Sequence, residues 1–186
     1  MKKYNNNSFN INDVNKEVEL YGWVSKKRNL GGVIFIDLRD RSGIIQIIIN
    51  PDNKYYEKAL ELKSEYVIKV NGIIKERSNK NKNISTGDIE LEVNSLEILN
   101  KSIELPFEIT DNTSALEDTR LKYRYLDLRR NSVKNNLIVR HKVMQVIRNY
   151  LSDLDFIEVE TPVLGKSTPE WARDYLVPSR VNNGKY

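Results

Sequence analysis

Between residues 33 and 40 successive side chains divide cleanly between two faces, one wholly apolar and the other carrying the charges. Ile34, Ile36 and Leu38 fall on one side, and Phe35, Asp37 and Arg39 on the other. A period of two is the signature of a strand with one buried face. The same reading predicts strands over residues 18–27, 44–50, 66–76 and 89–99. Asn29-Leu30-Gly31-Gly32 and Arg41-Ser42-Gly43 are turn sequences separating the first three. Pro51-Asp52 opens a predicted helix over residues 52–63, with Tyr56 and Leu60 on one side and Tyr55, Ala59 and Leu62 beside them. Residues 1–16 are polar and Asn-rich, a loosely docked lead-in, and residues 78–87 form a polar loop.

Three strands, a helix and two more strands is the element order of a five-stranded OB-fold barrel. This all-β architecture binds single-stranded nucleic acid or sugars, although other small barrels share much of the order. Past Leu105-Pro106-Phe107 the pattern changes. Residues 107–131 read as a charged hinge. Ser132 is placed to cap a long helix in which Val133, Leu137, Met144, Ile147 and Leu151 recur at helical spacing. Residues 156–161 read as a strand stopped by Pro162, and residues 166–180 as a loop gaining strand character near Tyr175. The expected organisation is a barrel over 1–106, a hinge over 107–131, and the first helix and strands of an α+β domain over 132–186.

Composition narrows the function classes. With 39% hydrophobic and 30% charged residues the chain is an ordinary globular one. No apolar run approaches the length needed to span a bilayer, no membrane partner is expected, and the cytoplasm is the expected compartment. The chain has no cysteine, so disulfides and thiolate chemistry are excluded, and its one histidine, His141, cannot build a multi-histidine metal site. No metal site is expected, and no phosphate-cradling glycine loop or nucleophile–base pair is found. A net charge of +4 is compatible with a polyanionic partner without requiring one.

The barrel carries the candidate chemistry. Phe35 lies on a strand face among charges, where an aromatic either stacks on a base or packs beneath a loop. If the turn pairs Asp40 with Gly43, Gln46 stands opposite Asp37 on that face, offering a donor and an acceptor to a base edge or simply tolerating a wet position. Lys26-Lys27-Arg28 and Asn79-Lys80-Asn81-Lys82-Asn83 sit where cations would meet phosphates, or are solvated basic loops. Glu90 and Glu92 point away from Ile89 and Leu91, and a carboxylate near Phe35 could accept from a base. Farther on, Glu170 could bind an ammonium group, or pair with Arg173 at the surface.

Four stretches carry a resemblance to a known family: Tyr21-Gly22-Trp23-Val24, Ile34-Phe35-Ile36-Asp37-Leu38-Arg39-Asp40-Arg41, Leu121-Lys122-Tyr123-Arg124-Tyr125-Leu126-Asp127-Leu128-Arg129-Arg130, and Ala172-Arg173-Asp174-Tyr175-Leu176-Val177-Pro178-Ser179-Arg180. Together with Glu160-Thr161-Pro162 they resemble the bacterial-type aspartyl-tRNA synthetases, and the last stretch is the most particular to the aspartyl enzymes. The resemblance implies that the barrel reads the GUC anticodon of the aspartate tRNA. Phe35 looks like the family's stacking aromatic for the central uridine, Gln46 like its hydrogen-bonding partner, and Arg28 and Glu90 like further anticodon contacts. Residues 132–162 resemble class II motif 1, which forms a homodimer interface, and Glu170 resembles the carboxylate that holds the ammonium of aspartate.

The chain departs from the family at Trp171 and Asp155, where relatives have glycine. Motifs 2 and 3, which would hold ATP and Mg2+ in the complete enzyme, have no counterpart in the sequence. No catalytic residue is therefore expected within it, and the end at Gly184-Lys185-Tyr186 reads as a truncation. Three readings compete: part of an aspartate–tRNA ligase, a stand-alone OB-fold RNA-binding module without catalysis, or, for residues 132–162, a dimerisation element only.

Overall fold

A computed structural model describes residues 4–163, 165 and 177–185. The chain divides into two compact units, Met1–Pro106 and Phe107–Tyr186.

In the first unit, strands β1 (Glu17–Leu30), β2 (Val33–Arg39), β3 (Ile44–Ile49), β4 (Val67–Glu76) and β5 (Ile89–Asn100) close into a barrel in the order β1-β2-β3-β5-β4. All pairs are antiparallel except β3 with β5. The interior is filled by the alternate apolar positions. Leu20, Val24, Ile34, Ile36, Leu38, Ile45, Ile47, Ile49, Ile68, Val70, Ile74, Ile89 and Leu91 are all fully buried. Isoleucine dominates because a β-branched side chain packs well on a pleated surface. Gly31 and Gly32, at φ 60° and 85°, make the two-residue turn joining β1 to β2. Positive φ at both central positions is what such a hairpin demands. The helix over 52–63 shrinks to α1 (Tyr56–Leu60). Asn53 prevents an earlier start: its Oδ1 accepts from the Tyr55 N–H at 2.9 Å, and its Nδ2 donates to the Val93 carbonyl at 2.5 Å. A local side-chain bond of this kind competes with helix.

The feature that places the site is a bulge. Up to Val24, the even positions of β1 face inward: Leu20, Gly22 and Val24. Between Val24 and Lys26 the register shifts, leaving Ser25 unpaired. Beyond it Lys26 stands opposite Asp37 and Arg28 opposite Phe35, while Lys27 faces inward opposite Ile36. One extra residue has turned Arg28 to the outside. Lys27 ends beneath α1, its Nζ donating to the Leu60 carbonyl at 2.6 Å, and burial pushes its pKa down.

The second unit corrects three expectations. The charged hinge contains helices α2 (Glu117–Lys122) and α3 (Arg124–Asp127). They gather around the Asp127 carboxylate, which is bound by Arg124 at 2.6 Å and Arg130 at 2.7 Å. The long helix α4 runs Asn131–Ser152, and Ser132 lies inside it rather than capping it. The capping acceptor is Asp111, whose Oδ1 takes both the Ser132 N–H at 2.9 Å and its Oγ–H at 2.7 Å. An unsatisfied N–H at a helix start accepts any well-placed carboxylate, whatever its distance in sequence. Residues 156–161 pair with no strand among the described residues. Phe156, Ile157 and Val159 are exposed, and a ladder needs a partner to form. Residues 175 and 176, read as strand, lie outside the described residues.

Candidate nucleic-acid interface

Phe35, Arg28, Gln46 and Glu90 arise on four different segments of chain, and the barrel brings them together. The Asp40 N–H donates to the Gly43 carbonyl at 3.0 Å, as the turn requires, and this sets Asp37 opposite Gln46 and Phe35 opposite Ile48. The parallel pairing of β3 with β5 then sets Gln46 beside Glu90. Phe35 is partly exposed on the outer face, flanked across the strands by Arg28 and Ile48. It does not belong to the core.

A continuous hydrogen-bonded chain runs beside the ring. Arg28 Nη2 donates to Asp37 Oδ1 at 2.8 Å and to Gln46 Oε1 at 3.2 Å. Gln46 Nε2 donates to Glu90 Oε2 at 2.7 Å, and Arg77 Nη2 donates to Gln46 Oε1 at 3.0 Å. Two guanidiniums thus face two carboxylates through one amide. Gln46 is only 3% exposed, so the wet strand position expected for it is in fact covered. Burial raises the pKa of Glu90, with the Gln46 hydrogen bond and the Arg77 charge pulling the other way and Glu92 adding to the rise. The Nε–H of Arg28 is buried without a partner among the described residues, a donor held out of water at some cost.

Sequence pattern does not single out Arg77, although it carries the signal. Lys69, Asn71, Ile73 and Lys75 are the outward positions of β4, and the same period reaches Arg77 one step past its end. The Arg77 N–H, donating to the Asp88 carbonyl at 2.9 Å, keeps that period in force. Around the site, Lys26 is exposed, Lys80 pairs with Glu76 at 2.8 Å, and Glu92 accepts from Asn50 Nδ2 at 3.4 Å. Glu170 and Trp171 lie outside the described residues. His141 is exposed on α4.

An aromatic ring, an amide, two carboxylates and two guanidiniums on one barrel face can stack a base, read its edge and meet a phosphate. Comparison with known proteins finds a match for each unit. Residues 18–99 match the family described as OB-fold nucleic acid binding domain, and residues 116–186 match the tRNA synthetases class II (D, K and N). Aspartate–tRNA ligase 2 of Streptococcus mutans is 57% identical over 176 residues, covering 93% of this chain and 30% of that protein. This chain belongs to the aspartate–tRNA ligase family. The Flavobacterium psychrophilum member is 53% identical over 188 residues, covering 100% of this chain and 32% of its own length. Among solved structures, the asparaginyl-tRNA synthetase of Pyrococcus horikoshii superposes with a TM-score of 0.69 at 28% identity, covering 83% of this chain and 36% of that one. The chain thus spans about 30% of the length of the curated aspartate–tRNA ligases it matches.

Proposed function

We propose that this chain provides the anticodon-reading barrel and the opening of the catalytic domain of an aspartate–tRNA ligase. In this reading 1–106 is the barrel, 107–131 the hinge, and 132–186 the start of the class II domain. The observation that carries it is the partly exposed Phe35 beside the Gln46 network, on a barrel of the matching family. Phe35 stacks on the central uridine of the anticodon, Gln46 and Glu90 meet base edges, and Arg28 meets a base or its phosphate. The complete enzyme activates aspartate with ATP and Mg2+ and transfers it to the aspartate tRNA in the cytoplasm, with Glu170 holding the aspartate ammonium. Residues 132–162 bring two copies together. Among the described residues no group of three or more His, Cys, Asp or Glu is arranged to hold a metal.

The test is binding of the chain to the anticodon stem–loop of the aspartate tRNA and to the same stem–loop with its anticodon scrambled. Tighter binding of the first is expected. Phe35→Ala should weaken it by about 1–3 kcal/mol, the usual contribution of one stacked base. The fold should survive, without the loss of about 3–5 kcal/mol that truncating a buried phenylalanine causes. Equal affinity for both RNAs, or a large stability loss with unchanged affinity, would remove the anticodon role.

A further inference from the structure

A glutamine amide has two acceptor positions on its oxygen and two donor positions on its nitrogen. On Gln46 three of the four are engaged: Oε1 accepts from Arg28 and from Arg77, and Nε2 donates to Glu90. Arg28 is in turn held in place by Asp37, 2.8 Å away. Turning the amide over would set its NH2 against two guanidiniums, which only donate. Its oxygen would meet a carboxylate, which only accepts while ionised. Every contact would become donor against donor or acceptor against acceptor, at a residue with 3% of its surface exposed. Buried polar groups left unpaired are costly, so the amide keeps one orientation. What remains unengaged is a single N–H.

We propose that Arg77, acting with Arg28 and Glu90, is a positioning residue that fixes the polarity of Gln46 and so makes this site select uridine over cytidine. The inference rests on the anticodon reading above. The two pyrimidines have nearly the same shape, and their edges differ where uridine carries an acceptor O4 and cytidine a donor amino group. An amide free to turn over satisfies either base and separates neither. One locked with its N–H outward meets O4 of uridine, but presents donor against donor to cytidine. Phe35 cannot supply the distinction, since every base has a face to stack. Arg77 need not touch the RNA at all, because its effect passes through the orientation of Gln46.

The experiment compares two stem–loops identical except for uridine or cytidine at the centre of the anticodon. Wild-type chain should prefer uridine by about tenfold or more, as one good edge contact provides. Arg77→Met removes one of the two guanidiniums and should bring the ratio several-fold closer to one. The double variant Gln46→Glu with Glu90→Gln keeps the net charge and the bonded pair but leaves an acceptor facing outward, so its preference should reverse towards cytidine. Thermal unfolding confirms that each variant is folded. If Arg77→Met is not, the double variant decides. A merely structural role for Arg77 weakens both RNAs alike and leaves the ratio where it was. An unchanged ratio in the folded variants, or equal binding of both RNAs by wild type, would overturn this inference alone. Failure of wild type to bind either RNA would overturn the anticodon reading with it.

Discussion

Glu90 is the residue at which burial and charge oppose each other most directly. Desolvation disfavours its carboxylate while Gln46 and Arg77 favour it, and the net effect raises its pKa above the ordinary 4.5. A carboxyl of this kind holds its proton more tightly folded than unfolded. Its contribution to stability is therefore complete below its ordinary value and is lost as pH rises through the raised folded value. Glu90→Gln keeps an acceptor for Gln46 Nε2 and removes the ionisation. Relative to wild type, the variant should gain stability as pH rises through that window and lose the advantage in acid. Denaturant midpoints of the two proteins from about pH 4 to about pH 7 measure this. Parallel curves would mean that burial does not control Glu90. The same protonation would give Glu90 a hydrogen to donate, so the hold on the Gln46 amide should also loosen in acid.

At the scale of elements, what was legible in the sequence follows from how local each determinant is. The alternation of β2 and the Asp40–Gly43 turn place Phe35, Asp37 and Gln46 on one face by pattern alone, and the registers agree. Arg28 was not legible that way. Counting in twos from Leu20 and Val24 aims it into the barrel, and only the unpaired Ser25 reverses the phase. A bulge is a relation between two strands, and one strand read alone does not contain it. The same holds for residues 156–161, whose apolar residues have no partner strand among the described residues, and for the Asp111 cap, which comes from outside the helix it serves. Asp155 is a local departure whose consequence can be worked out. It sits at φ 64°, its N–H donating to Ser152 at 3.0 Å and the Phe156 N–H to Leu151 at 3.0 Å. This is the Schellman ending of α4, with an aspartate at the left-handed position that glycine usually fills. Asp155→Gly relieves left-handed strain of about 1 kcal/mol, offset in part by the entropy glycine gains when unfolded. Slower amide exchange at Phe156 is expected in Asp155→Gly, and faster exchange in Asp155→Val, whose branched side chain fits that conformation worst. Exchange rates in the opposite order would show that the ending is not strained.

Across the whole molecule the two units are stabilised very differently. Met1–Pro106 contains a closed barrel with its own core, whereas among the described hydrophobic residues of Phe107–Tyr186 only Phe107 and Leu126 are buried. Helix α4 has no buried residue along its 22 positions. Leu137, Met144, Ile147 and Leu151 remain 47%, 41%, 48% and 39% exposed. A helix draws most of its stability from packing an apolar face, so this face calls for a cover. Val133, Leu137, Met144, Ile147 and Leu151 follow the alternating steps of three and four that form a seam between helices, and the one missing step falls on Arg140. A second copy of the chain, as proposed for residues 132–162, would bury the seam but also set the Arg140 charge within it. A polar residue at such a position fixes register at a cost in stability. Arg140→Leu should therefore tighten self-association and Ile147→Lys should weaken it, with RNA binding by the barrel unchanged in both. Sedimentation equilibrium over a wide concentration range gives the dissociation constants. If wild type and Arg140→Leu both remain monomeric at the highest concentration reached, α4 is not covered by a second copy.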